Sequence, residues 1–251
     1  MLSCMRTKNL ESAAFFAWVL AALASPGASR ALEPDPFVSG VIERITADSL
    51  LAQVEKLVGF GTRRWNQPGG KAAQEYIEDF FAGLHMDEVY AQDFDSGADN
   101  VVAVLRGSLR PDVHHVLGAH YDSTGDQGAE GPAPGADDNA SGTAAVLESA
   151  RAFAESGHRP AETIIFVAFT AEEDGLKGSR AFVQAIKDEG KSIADMVCLD
   201  VIGYLEPETA SDLSVTSSEF PPGVDALIAK LGEVAAAYLP ERPFEGGPGC
   251  G

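Results

Sequence analysis

Short apolar runs alternate with helix-spaced apolar positions through most of this chain, and that alternation predicts the fold. Two helical stretches, 46–58 and 70–84, come first. In the second, Ala73, Tyr76, Ile77, Phe80 and Phe81 recur at the spacing that places them on one helical face. The segment TRRWNQPGG between them, with Pro68 and paired glycines, reads as a loop. Beyond residue 99 the pattern changes. Strands are predicted over 100–105, 115–119, 163–169 and 195–199, and helices over 142–155, 176–188 and 224–237. The run TIIFVAF is apolar on both alternating faces, as a strand covered by helices on each side requires. Strand, helix, strand, helix, strand in that order predicts an α/β fold, a three-layer α/β/α sandwich around a mostly parallel central sheet.

The chain has 251 residues, enough for one domain of ordinary size plus processing sequence. Its first 31 residues carry Arg6 and Lys8, an apolar run over 13–24, then Pro26, Gly27 and small residues up to Ala31. These are the three parts of an export signal, so 1–31 is expected to be a signal peptide and 32–251 the functional domain, secreted or periplasmic. Twelve apolar residues fall short of the roughly 20 that a membrane span needs, so no stable membrane insertion is expected.

Formal charge is −20, from 38 acidic against 18 basic residues. That excess repels polyanions, so no nucleic-acid partner is expected. Three cysteines are too few for a disulfide scaffold. Cys4 falls in the signal and Cys250 is next to last, while Cys198, in MVCLD, reads as a small buried hydrophobe.

Chemically capable residues gather where predicted strands end, which is where open α/β sheets bind ligands. One strand ends in His120, followed by Tyr121 and Asp122; another runs into Glu172 and Glu173; a third ends at Asp200. Asp137 and Asp138 lie in GADDNASG, just ahead of a helix. Taken singly, each has an ordinary explanation: a solvated acidic loop, a helix-capping pair, a structural histidine. Together they form an imidazole and carboxylate set suited to catalytic Zn²⁺, with a carboxylate able to bridge two ions. Adjacent residues at a strand end point different ways. Glu173 is therefore assigned as a ligand and Glu172 as the base facing a metal-activated water. Asp122 is placed to orient the ring of His120. The remaining histidines, His85, His114, His115 and His158, read as structural or exposed.

Four segments, AHYDS (119–123), GADDNASGTAAVLE (135–148), FTAEEDGLKGS (169–179) and LDVIGY (199–204), resemble the M28-type zinc aminopeptidases in order and spacing. The likeness covers roughly 100–204, with weaker similarity upstream. It implies that His120 and Asp200 bind one zinc, that Glu173 binds a second, and that Asp138 rather than Asp137 bridges them. It also implies Glu172 as base and Asp122 as the residue orienting His120. The implied activity is metal-dependent hydrolysis of N-terminal residues from peptide substrates. Such enzymes carry a last histidine ligand near the C-terminus, and this chain has no histidine after Asp200. A missing C-terminal part is therefore expected, with weak or absent activity for the 251-residue form. Two rival readings are a glutaminyl cyclase-like enzyme with a single zinc, and a non-catalytic binding module on the same fold.

Overall fold

The computed structural model describes residues 32–125, 132–204, 213–217, 223–241 and 244–248. The expected signal segment, Cys4 and Cys250 lie outside them. None of the helices described is long and apolar enough to cross a membrane. Two compact units are formed, one spanning Thr46–Tyr204 and the other built from residues up to Ile45 and from Leu205 onward.

The larger unit contains the sheet. Its helices are α2 (Ala47–Val58), α3 (Pro68–Ala82), α4 (Ala140–Ser156) and α5 (Lys177–Asp188), following α1 (Pro36–Ile42) of the smaller unit. Its strands are β1 (Glu88–Gln92), β2 (Asn100–Leu105), β3 (Arg110–His120), β4 (Glu162–Phe169) and β5 (Ile193–Cys198). Thr46 and Ser49 form a reciprocal capping box that starts α2, and Leu50, Val54 and Leu57 form its buried stripe. Pro68 opens α3 where no helical N–H is needed, and Ala73, Ile77 and Phe81 are fully buried along it.

The strand order is β1-β2-β4-β3-β5. β4, β3 and β5 are parallel, as expected, whereas β2 runs antiparallel to β4 and β1 antiparallel to β2. The sheet is therefore mixed. An apolar run buried on both faces, such as β2, does not reveal its direction. The connection does: only residues 106–109 join β2 to β3, too few for the dozen-residue crossover that parallel strands require. β1 escaped the sequence pattern because its burial is shallow and does not alternate.

Alternate residues separate two cores. Val102, Val104, Val116, Ile165, Val167 and Phe169 pack with Phe182 and Ile186 of α5. On the opposite parity, Phe166 meets Phe153 of α4 at 6.3 Å between ring centroids. Opposite parity means opposite faces of the sheet, so helices cover both sides and the three layers follow. β5 is the exception: among the described residues it pairs only with β3, and Cys198 on it is exposed rather than buried as expected. Among those residues its apolar run has no second neighbouring strand of the kind that buries β4.

The smaller unit holds α1, β6 (Leu213–Ser217), α6 (Val224–Tyr238) and β7 (Phe244–Pro248), with β6 and β7 paired in parallel. Asp35 caps α1 by accepting the amides of Phe37 and Val38 and itself donates its N–H to the Tyr238 hydroxyl.

Candidate metal centre

The order β4-β3-β5 sets the carboxyl ends of three strands side by side. His120 is the last residue of β3, Glu172 and Glu173 follow β4, and Asp200 follows β5. Backbone bonds continue past the strand ends, from the Tyr121 N–H to Phe169 O at 2.8 Å and from the Leu199 N–H to Gly118 O at 2.8 Å. The three segments thus leave the sheet in a fixed relation.

Asp138 arrives from the loop ahead of α4. Its neighbour Asn139, joined to it through a cis peptide bond, is the helix cap and is fully buried. Asn139 Oδ1 accepts the Gly142 N–H at 2.9 Å, while its Nδ2 donates to Leu199 O at 2.9 Å. One side chain therefore ties the start of α4 to the residue preceding Asp200. Residue 142 must be glycine here: a Cβ would come within 2.4 Å of both Leu199 O and Asn139 Oδ1. Thr143 of α4 also donates to His120 O at 2.7 Å.

These ties bring three ligand-capable side chains together. His120 Nε2 lies 3.3 Å from Asp138 Oδ1 and 3.3 Å from Asp200 Oδ1, and one ligand atom from each residue falls within 4.8 Å of the others. Donors about 2.0–2.2 Å from a tetrahedral zinc stand roughly 3.3–3.6 Å apart, so both separations from the imidazole match edges of such a polyhedron. Glu172 Oε2 is 4.0 Å from the same nitrogen. Glu173 is partly buried and lies outside the three-residue group. The imidazole is only 5% exposed, whereas the side chains of Asp138 and Asp200 are 56% and 55% exposed. The cluster accordingly opens to solvent on its carboxylate side.

Asp122 is fully buried behind it. Its main-chain oxygen is 3.2 Å and its carboxylate 3.5 Å from His120 Nδ1, so it faces the ring nitrogen turned away from the cluster. The same carboxylate accepts the Glu172 N–H at 3.1 Å and the Glu173 N–H at 3.3 Å, a second role that no sequence pattern indicated.

Charge is concentrated here. Burial alone would lower the His120 pKa, but Asp122, Asp138 and Asp200 overcome it and push the value up to about 12. In return, the hydrogen bond from His120 holds Asp138 below the usual carboxylate range. Burial, reinforced by neighbouring carboxylates, raises both Glu172 and Glu173. A carboxyl group raised in this way suits proton transfer nearer neutrality.

Asp137 does not cap α4. Its carboxylate accepts the Gly203 N–H at 2.7 Å, and Ser141 Oγ accepts the Ile202 N–H at 3.1 Å, pinning the turn beyond Asp200. His114 and His115 are structural: His114 bonds Ser192 O, and His115 sits between Asp195 at 3.0 Å and Glu162 at 2.6 Å. His85 and His158 are exposed. Asn139 was the site residue most open to earlier notice, since an asparagine one position before a helical run is a standard cap. Arg63, buried beneath the site, gave no such signal in TRRW.

The family model for peptidase family M28 matches residues 100–247, more than half of the chain and all of the segments described above. This chain belongs to peptidase family M28. A probable zinc metalloprotease of Pyrenophora tritici-repentis is 34% identical over 200 residues, covering 70% of this chain and 46% of that protein. A probable leucine aminopeptidase of Arthroderma benhamiae is 32% identical over 177 residues, covering 67% of this chain and 49% of that one. The M28 chain described here spans less than half the length of both relatives. In fold it is similar to the Legionella pneumophila LapA aminopeptidase, with a TM-score of 0.72 at 19% identity over 89% of this chain and 61% of that one. A glutaminyl cyclase of Bacteroides thetaiotaomicron superposes with a TM-score of 0.59 at 20% identity, covering 79% of this chain and 76% of that one.

Proposed function

We propose that this M28 chain is the metal-binding core of a secreted or periplasmic zinc aminopeptidase that removes N-terminal residues from peptides. The observation that carries this reading is the pair of 3.3 Å separations from His120 Nε2 to Asp138 and Asp200. His120, Asp138 and Asp200 would hold a zinc ion, and Glu173 with Asp138 would offer carboxylates to a second. Bound zinc supplies a Lewis acid for the scissile carbonyl and lowers the pKa of water toward ~7.

The remaining work falls to the chain itself. Glu172 takes a proton from the attacking water and returns it to the departing amine, and its raised pKa makes it a stronger base for the first of these transfers. Asp122 holds the backbone of Glu172 and Glu173 by accepting both amides. The exposed carboxylates of Asp138 and Asp200 give an acidic rim that suits a free α-ammonium group, the feature an exopeptidase must recognise. The names of the metalloprotease and leucine aminopeptidase relatives support the same reading.

Leucine p-nitroanilide hydrolysis, expected to be weak in the 251-residue form, tests it by disappearing with a chelator and returning with zinc, together with zinc analysis of the protein. Hydrolysis persisting in metal-free protein would overturn it. One observation favours a second reading: among the described residues a single three-ligand group forms, as a one-zinc glutaminyl cyclase requires. Cyclisation of glutaminyl peptides at one zinc per chain, without peptide hydrolysis, would establish that alternative.

A further inference from the structure

Arg63 is the largest wholly buried side chain among the described residues, and the chemistry outlined above does not use it. Its guanidinium makes its hydrogen bonds to backbone carbonyls. Nε donates to Tyr121 O at 2.7 Å, Nη1 to Pro134 O at 2.6 Å and Leu57 O at 3.3 Å, and Nη2 to Gly135 O at 2.9 Å. Its own N–H goes to Ser123 Oγ at 3.1 Å, and that hydroxyl donates to Ala133 O at 2.7 Å. Thr62 Oγ1 accepts the Ala133 N–H at 3.0 Å.

Apart from Leu57 on α2, these partners fall in two places. Tyr121 and Ser123 flank Asp122 and follow His120; Ala133, Pro134 and Gly135 lead into Asp138. Gly135 itself has φ +48°, and a Cβ there would lie 2.9 Å from Arg63 Nη2 and 2.3 Å from Asp138 O. The fork thus spans the two segments that deliver the histidine and the bridging aspartate. A rigid planar fork can hold several carbonyls in fixed relation, which a flexible ammonium cannot.

Burying a guanidinium is costly, and burial lowers the Arg63 pKa to about 10 despite attraction from Asp122 and Asp138. Neutral side chains could satisfy the carbonyls at less cost. Two features together account for a cation at this point: the fork, and a permanent positive charge behind two carboxylates that must stand close together before any metal arrives.

We propose that Arg63 is a positioning residue of the metal centre, fixing the Tyr121–Ser123 and Pro134–Asp138 segments at the separation that lets His120 and Asp138 ligate one ion. This rests on the metal-centre reading of the site. The test is cobalt(II) binding to the full chain, followed by competition affinity and by the visible absorption of the bound ion, with thermal melting of each variant alongside.

Arg63→Met is expected to weaken cobalt binding about 10–100-fold, the usual consequence of losing a group that supports metal ligands, and to alter the absorption at saturation. Arg63→Lys, which keeps the charge without the fork, is expected to fall between Met and the unaltered chain. Ser123→Ala removes one strut of the same brace and covers the case in which Arg63→Met does not fold; a severalfold loss of affinity is expected. Gln53→Ala, which removes a buried bond to Glu148 on α4, serves as the control. It should lower the melting temperature without moving affinity or spectrum.

Arg63→Lys and Ser123→Ala with unaltered affinity and spectrum would overturn the proposal. So would a Gln53→Ala variant that loses affinity as much as they do. Failure of the unaltered chain to bind cobalt would overturn the metal centre itself, and this inference with it.

Discussion

Asp122 Oδ1 accepts the backbone N–H of Glu172 at 3.1 Å across fifty residues of sequence, and this bond joins the β3 end of the centre to its β4 end. A buried carboxylate that faces an imidazole on one side and a glutamate amide on the other sets the histidine and the base together.

Asp122→Asn keeps the shape of the side chain but loses charge and one acceptor. Metal affinity is expected to fall about 10–100-fold. Stability should drop by about 1–3 kcal/mol as an amide N–H loses its partner. Metal competition and urea denaturation measure the two effects separately, and a variant changed in neither would remove Asp122 from the centre.

Glu172→Gln addresses the base. Its side chain lies 4.0 Å from His120 Nε2, outside the distance of the two closer carboxylates. Turnover is expected to fall about 10²–10⁴-fold while bound zinc stays the same. Loss of zinc along with turnover would make Glu172 a ligand instead.

Asn139→Ala removes the cap of α4 and the tie to Leu199. A lost cap costs about 0.5–2 kcal/mol, and the buried Leu199 carbonyl loses its partner as well. We expect a lower melting temperature together with weaker zinc binding, because Asp138 and Asp200 are then no longer tied to each other. Calorimetric titration of zinc into a still-folded variant that matched the unaltered chain would count against this linkage.

The pH dependence of stability should change sign with metal. Without metal, His120 has a folded pKa raised from 6.5 to about 12. Its contribution is therefore complete below about pH 6.5 and is lost as pH rises toward the folded value. The raised pKa values of Glu172 and Glu173 act in the same direction. A bound cation requires the neutral imidazole, so metal affinity, and the stabilisation it brings, grow with pH. Melting curves between pH 6.5 and 9 should fall for chelated protein and hold or rise for zinc-loaded protein. Parallel curves would mean that His120 does not exchange its proton for metal.

Local periodicity was sufficient for every described helix except the short α1 and for the strands that carry the site, because burial on one face of a helix or both faces of a strand is written in residues three, four or two apart. The strand ends at His120, Phe169 and Cys198 therefore stood within a residue or two of their expected places. The direction of β2 and the shallow strand β1 were not legible, since both depend on connections and neighbours rather than on their own residues. Cys198 was misplaced for a related reason: an apolar run says that burial is favourable, not that a neighbour exists to provide it.

The sequence alone determined which residues had the chemistry, since imidazole and carboxylate at strand ends are properties of residue type and local order. Tertiary structure decided how they meet: Asp122 reaching two amides, Asn139 bridging α4 to Leu199, and Arg63 gripping carbonyls from two loops. Those bonds join residues about fifty to seventy positions apart and meet backbone groups, which are the same in every residue. Only the folded arrangement of strands determines which carbonyl or amide a side chain will find.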